Sequence, residues 1–363
     1  MPSFSSISRR ASWARLSLFA IWMALLLAPA LYAQTDGLPS DGPIRPVPVF
    51  TMGSGFITTF QGGTPNLGPL INPVLLVPVG NNWLIEARGD LESSLAPPPG
   101  GSGYTGSLET NVDYLQLDYI ANRYLTVTVG RFLTPFNIYN ERLYPIWIRN
   151  LQTDPLILPL EAGEYGASNG GMIRGGFNAT SRVEVNYAAY VSANSTVENL
   201  ASDRSFGFRS GIFLPGPRLE VGGSFQHLLQ DYRKNAFGFY GEWQPRSLPL
   251  DVRAEYARSY VGSGYWMEGA YRLSQVPIWT SGLRHVQMVA RMQQFYTGQG
   301  WSSDVPSVST NMFEYGMNYY FRDDFRLVGS YGRQFAPFGG NMNVWTVGLT
   351  YRLALPFGHG DIR

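Results

Sequence analysis

The stretch Trp83-Leu84-Ile85-Glu86-Ala87-Arg88-Gly89-Asp90-Leu91-Glu92 divides by parity into two unlike faces. Trp83, Ile85, Ala87, Gly89 and Leu91 make one face apolar, while Glu86, Arg88, Asp90 and Glu92 charge the other. Successive side chains of a strand point to opposite sides, so this alternation predicts a β-strand with one apolar and one wet face. Arg182 to Val191 and Leu250 to Ser259 repeat the pattern. In Trp345 to Leu353 the apolar set is Trp345, Val347, Leu349, Tyr351 and Leu353, against Thr346, Gly348, Thr350 and Arg352. Segments of about ten alternating residues, separated by turn residues, are the signature of transmembrane β-barrel strands.

Charge obeys the same parity. Arg88, Arg174, Arg209, Arg253, Arg272, Arg291, Arg326 and Arg352 all fall on the inward set, with Glu86, Asp118, Glu184, Glu220, Glu242, Glu255, Glu268 and Glu314. An arginine on the lipid face at mid-membrane costs about 2 to 4 kcal/mol, which is the physical cause of such segregation. Arg131, Arg258 and Arg333 break the parity, but near predicted strand ends, where the penalty fades. A soluble sandwich also alternates, with its charged face outward. Connection lengths separate the two: short turns at Ala121 to Arg123, Thr180 to Ser181, Pro215 to Gly216, Arg246 to Leu248 and Arg322 to Asp323 alternate with longer links, as periplasmic turns alternate with external loops. Ser274 to Gly282 is long for a periplasmic turn. Strand starts are expected near Phe50, Leu70, Asn82, Asn111, Arg123, Asn169, Arg182, Arg204, Pro217, Asn235, Leu250, Gly264, Leu283, Ser309, Asp324 and Met342. The predicted fold is therefore all-β, a transmembrane antiparallel barrel of about 16 strands, wide enough for an aqueous channel. Leu70 to Val79 is its weakest strand, because Pro73 and Pro78 cannot donate to a ladder.

Composition agrees with the pattern. Charged residues are 15% of the 363, against about 25% in soluble proteins, and aromatics reach 14%. Beyond the N-terminus no apolar run is long enough for a membrane helix. Net charge of +1 argues against a nucleic-acid partner. Of the 27 basic residues only Lys234 is a lysine, and arginine's permanent charge suits a channel wall, although a GC-rich genome has the same effect. Cysteine is absent, which removes disulfides and thiolate metal sites. Arg9, Arg10 and Arg15 precede the apolar stretch Leu16 to Leu27, and Ala28, Ala30 and Ala33 follow. These are the three zones of a secretory signal, with cleavage expected after Ala33 and Ala30 as second choice. The expected organisation is a signal peptide at 1–33, a periplasmic lead-in at 34–48, a barrel at 49–355 and a tail at 356–363, placing the chain in the bacterial outer membrane amid lipid and lipopolysaccharide.

The longest link, Pro135 to Ser168, is the third external loop and carries both apolar groups and charge. Loops of this length inside a compact fold tend to be functional. It is expected to fold into the barrel, with Glu141, Arg142, Arg149, Asp154, Glu161 and Glu164 as constriction candidates and the eight wall arginines as pore-lining candidates. Opposed charges there would order water and sort solutes by charge. Arg142, Arg149 and the wall arginines would attract anions; Glu141, Glu161 and Glu164 would oppose them and keep the preference modest. An external lid or a trimer contact is the alternative role for this loop, and pairing with a glutamate the alternative for each wall arginine. The pattern implies passive diffusion of small hydrophilic solutes. The alternative is a non-conducting barrel with an adhesin or structural envelope role. His227, His285 and His359 are scattered and offer neither a triad nor metal ligands, so neither an enzyme nor a cofactor is expected.

Gly130-Arg131-Phe132-Leu133-Thr134-Pro135-Phe136, after Leu125 to Val129 and before Asn140-Glu141-Arg142, resembles a segment of the phosphate-selective porin family. The resemblance implies a 16-stranded pore, a homotrimer and an inward third loop. Members that prefer phosphate use lysines near the constriction, and none stands there in this chain. Thr346 to Leu353 is similar to the closing signal read by the barrel-assembly machinery, though the chain continues past it to Arg363.

Overall fold

The computed structural model describes residues 47–356 except 99–102, 162–165, 231–233, 301, 303–304 and 338–339. The expected signal peptide, most of the lead-in and the tail beyond 356 lie outside the described residues. Period-two alternation becomes sixteen antiparallel strands among the described residues: β1 (Val49–Gln61), β2 (Thr64–Val79), β3 (Trp83–Ala96), β4 (Thr105–Asn122), β5 (Leu125–Leu133), β6 (Ala167–Thr180), β7 (Val183–Ala193), β8 (Ser205–Leu214), β9 (Leu219–Leu228), β10 (Lys234–Trp243), β11 (Leu250–Arg258), β12 (Gly262–Arg272), β13 (Val286–Thr297), β14 (Thr310–Arg322), β15 (Phe325–Phe335) and β16 (Met342–Pro356). Each pairs with its sequence neighbours, and β1 closes on β16 from Val49↔Pro356 to Gln61↔Val344. No edge strand is left open, the arrangement a hydrocarbon environment requires.

Two strands start earlier than their sequence suggests, β2 at Thr64 instead of near Leu70 and β4 at Thr105 instead of near Asn111. Proline was the obstacle in β2, and its register explains why it is tolerated. Pro65, Pro69 and Pro73 are four residues apart, so their missing donors face one neighbour. The β1–β2 register is unbroken, whereas the β2–β3 ladder is interrupted at 68–69 and 72–73. In β4 a bulge opposite Arg88 and Gly89 inserts Asp113 as an extra residue. This bulge lets Asp113 pair with the inward Arg88, against the simple parity of its neighbours.

The outer surface is apolar: Val129, Val191, Phe208, Phe239, Phe313 and Trp345 are each more than half exposed. Aromatic pairs mark both rims, Trp83 with Tyr119 and Phe321 with Phe325 at the end that carries the termini, and Phe225 with Phe206 and Phe237 at the other. Such a surface is at home in lipid, and the closed sheet is a transmembrane barrel. Arg131, on the outward parity, does not meet lipid. The link 194–204 folds over it, and its guanidinium donates to the carbonyls of Val112 and Ala201 and to Asn169.

The terminus-bearing end has two-residue turns at 123–124, 181–182 and 323–324, and the far end has the long links 134–166, 194–204 and 298–309. The long turn after β12 contains the short helical turns Leu273–Gln275 and Thr280–Leu283.

Candidate functional site

The third loop leaves β5 at Thr134 and returns to β6 at Ala167, and both ends are tied together. The Thr134 and Ser168 hydroxyls are 2.9 Å apart, and Asn140 Nδ2 donates to the carbonyls of Thr134 (3.1 Å) and Gly166 (2.7 Å). Between these ties the chain turns into the barrel. Asn137, with φ of 49°, makes the bend, and its amide donates to Ser224 Oγ on β9. The amides of Ile138 and Tyr139 both donate to Glu255 Oε1 on β11, at 2.7 and 2.8 Å. Trp266 Nε1 on β12 donates to the other oxygen of that carboxylate. One buried acid thus satisfies the start of the π-helical turn Tyr139–Leu143.

Around it Phe136, Ile138, Tyr139, Leu143, Ile157 and Leu160 of the loop pack with Tyr240, Ala257, Trp266 and Phe295 of the wall. These side chains form a buried apolar core between the loop and the wall. The loop fits because the wall is dented with glycines. A Cβ at Gly55 would lie 2.5 Å from Ile146, at Gly264 2.6 Å from Ile157, and at Gly316 2.7 Å from Leu151; one at Gly238 would strike Asn137. The loop also crosses to β15 and β14, where Arg326 Nη2 donates to the carbonyls of Ile146 and Arg149 (2.7 Å each) and Asn318 Nδ2 to that of Asn150 (2.9 Å).

All eight wall arginines face the interior, but in different roles. Arg88, Arg209, Arg253, Arg291 and Arg326 are buried. Arg291 lies 2.9 Å from Glu314 and 3.8 Å from Glu268, and Arg209 bonds Glu141. Arg253 is held by Asp251 (2.7 Å) and Glu242, and Arg88 by Asp113 (2.9 Å). Arg174 is a third exposed and reaches both Asp118 and Glu141. Arg272 is half-buried and Arg352 exposed. Of the loop candidates, Arg142 makes a two-pronged bond to Glu220 (2.9 and 3.1 Å), whose Oε1 also accepts from Tyr240 and Asn186. Arg149 pairs with Asp154 at 2.9 Å. Burial works against the Arg149 charge, but Asp154, with Tyr139, Tyr144 and Asp90, outweighs it and holds its pKa above the usual arginine value. The side chain of Glu161 and all of Glu164 lie outside the described residues.

Parity could not locate Asp113, Thr153, Tyr144 or Trp147, which complete the site with Tyr320, on the inward parity of Glu314 and Asn318. Thr153 bridges Arg291 and Glu314, and Tyr144 lies beneath Arg88 and Arg149. The loop's mixture of aromatic and charged residues was the only signal for Tyr144, Trp147 and Thr153, and nothing in the sequence marked the bulge at Asp113. At the terminus-bearing end a cavity of about 550 Å³ is lined by residues that include Arg123, Tyr124, Asn178, Glu184, Asn186 and Glu220.

No family model matches the chain, and no curated protein matches its sequence. The phosphate-selective porin family that residues 130–142 resemble is not shown for this chain. Solved structures share the fold. Salmonella typhi OmpF in complex with daunomycin superposes with a TM-score of 0.58 at 9% identity, over 84% of this chain and 97% of that one. Pseudomonas putida OprB at low pH gives 0.56 at 8% identity, over 85% and 92%. In-vitro folded OmpT, an outer membrane protein of Vibrio cholerae, gives 0.54 at 10% identity, over 86% and 100%. The architecture is the closed antiparallel barrel of outer-membrane porins.

Proposed function

We propose that the chain is a bacterial outer-membrane channel through which small hydrophilic solutes diffuse passively, with a modest preference for anions. The wetness of its internal charges carries this proposal. Inside the barrel the Arg142 and Arg174 side chains stay 32% and 34% exposed, and Asp154 46%. A loop that sealed a dry interior would leave such charges desolvated at a cost of several kcal/mol each. Arg142 of the loop with Glu220 of the wall, and Arg174 of the wall with Glu141 of the loop, are ion pairs whose cations stay partly solvated, and they would present fixed charges of both signs to a solute. The anion bias rests on Arg272 and Arg352, whose charge no nearby carboxylate offsets among the described residues. Assembly as a homotrimer, insertion through Thr346 to Leu353 and contact with lipopolysaccharide at the outer rim belong to the same proposal.

Purified, folded protein in planar bilayers should give discrete conductance steps, and a salt gradient should give a reversal potential of anion-selective sign. Folded barrels that never conduct would sink the channel and leave the second reading, a non-conducting envelope protein. The breadth of the loop's anchorage, from β1 to β9 and β15, is the observation in favour of that reading.

A further inference from the structure

Ten arginines face the interior from the wall and the third loop, and they divide by partner. Arg88, Arg142, Arg149, Arg174, Arg209, Arg253 and Arg291 each have a carboxylate within ion-pair distance; among the described residues Arg272, Arg326 and Arg352 have none. These three are neighbours, and aromatic rings separate them. Arg272 lies 4.6 Å from the Tyr320 ring centre and Arg326 lies 5.9 Å from the same ring. Arg326 lies 5.1 Å from the Trp147 ring, and Arg352 lies 5.4 Å from it. The result is an alternating series, Arg272, Tyr320, Arg326, Trp147, Arg352, along the lumen wall. Its strand members stand close to the terminus-bearing ends of β12, β14, β15 and β16.

The members differ in what they have left to offer. Arg326 is 2% exposed, and its donors go to Thr350, Tyr320 and the carbonyls of Ile146 and Arg149, so it positions both rings. Arg272 uses Nε for the Arg284 carbonyl. Arg352, exposed at the end of the series, has a ring against it and a fork of N–H donors without a carboxylate partner.

We infer that this series is a binding strip for planar aromatic carboxylates. A ring laid on Arg352 continues the alternation of cation and ring, and its carboxylate supplies the negative charge that the three guanidiniums lack. Inorganic phosphate matches the strip less well, because the rings keep the guanidiniums apart and Arg326, the middle cation, has its donors engaged. The inference rests on the proposed wet lumen, but its test does not need conduction. Benzoate binding to the detergent-folded full chain should be measured by calorimetry beside cyclohexanecarboxylate and inorganic phosphate. Benzoate should bind about tenfold more tightly than either. Arg352→Gln should abolish the difference. Arg352→Lys, which keeps the charge and loses the flat stacking face, should retain carboxylate binding and lose the preference for the aromatic ring. Equal binding of benzoate and cyclohexanecarboxylate, or benzoate binding unchanged in Arg352→Gln, would overturn the strip. Bilayer recordings on the same preparation separate the two claims: benzoate binding without conductance defeats the channel alone, and conductance without benzoate binding defeats the strip alone.

Discussion

Arg291 is 1% exposed, between Glu268 and Glu314, and donates to Thr153 of the third loop as well. Its charge is tolerable only because these acceptors replace water. Arg291→Ala should therefore destabilise the barrel by about 3 to 5 kcal/mol, since it leaves two buried carboxylates without a cation. Urea unfolding in lipid vesicles measures this, and a loss below about 1 kcal/mol would mean that water already reaches the pair. Arg352 on β16 shares the inward parity but is exposed and lacks such a partner among the described residues. Parity assigned both residues inward, yet burial depends on where the loop lies, which no strand pattern contains.

The third loop joins walls that are distant along the chain, and glycines at the contact points let it approach. Gly55→Leu would place a branched side chain where Ile146 now sits, 2.5 Å from the position of its Cβ, and should lift this part of the loop from β1. Protease accessibility of residues 144–150 should rise in this variant while the barrel stays folded. Removing residues 140–164 should raise single-channel conductance at least about twofold, because the loop occupies a large share of the lumen. Unchanged conductance would place the narrowest point elsewhere. The loop's inward course was legible in its amphiphilic composition. Its seats were not, because a wall glycine looks like any other strand glycine until a side chain from a distant segment fills the space above it.

For the whole barrel the governing quantity is the difference between its two faces. Phe239 is 62% exposed at the middle of β10 and faces outward, whereas Glu184 is exposed on the lumen side beside the cavity. Phe239→Arg should reduce folding stability in vesicles by about 2 to 4 kcal/mol. Glu184→Arg should change stability by about 0.5 kcal/mol or less, and shift the reversal potential toward anions. Equal effects of the two substitutions on stability would contradict a lipid-facing exterior with a wet interior.

Alternation together with the order of short and long connections determined the class of fold, a barrel of about 16 strands, the face on which each wall arginine lies and most strand starts, with β2 and β4 six residues off. It could do so because side-chain alternation is local to an extended chain and the lipid penalty acts on each residue separately. Only the tertiary structure decided that Asp113 meets Arg88 through a bulge, that Arg131 is covered by a loop, and that Trp147 comes between Arg326 and Arg352. Those outcomes join segments far apart in the chain, and their energies depend on which loop fills the lumen, a property of the closed barrel as a whole.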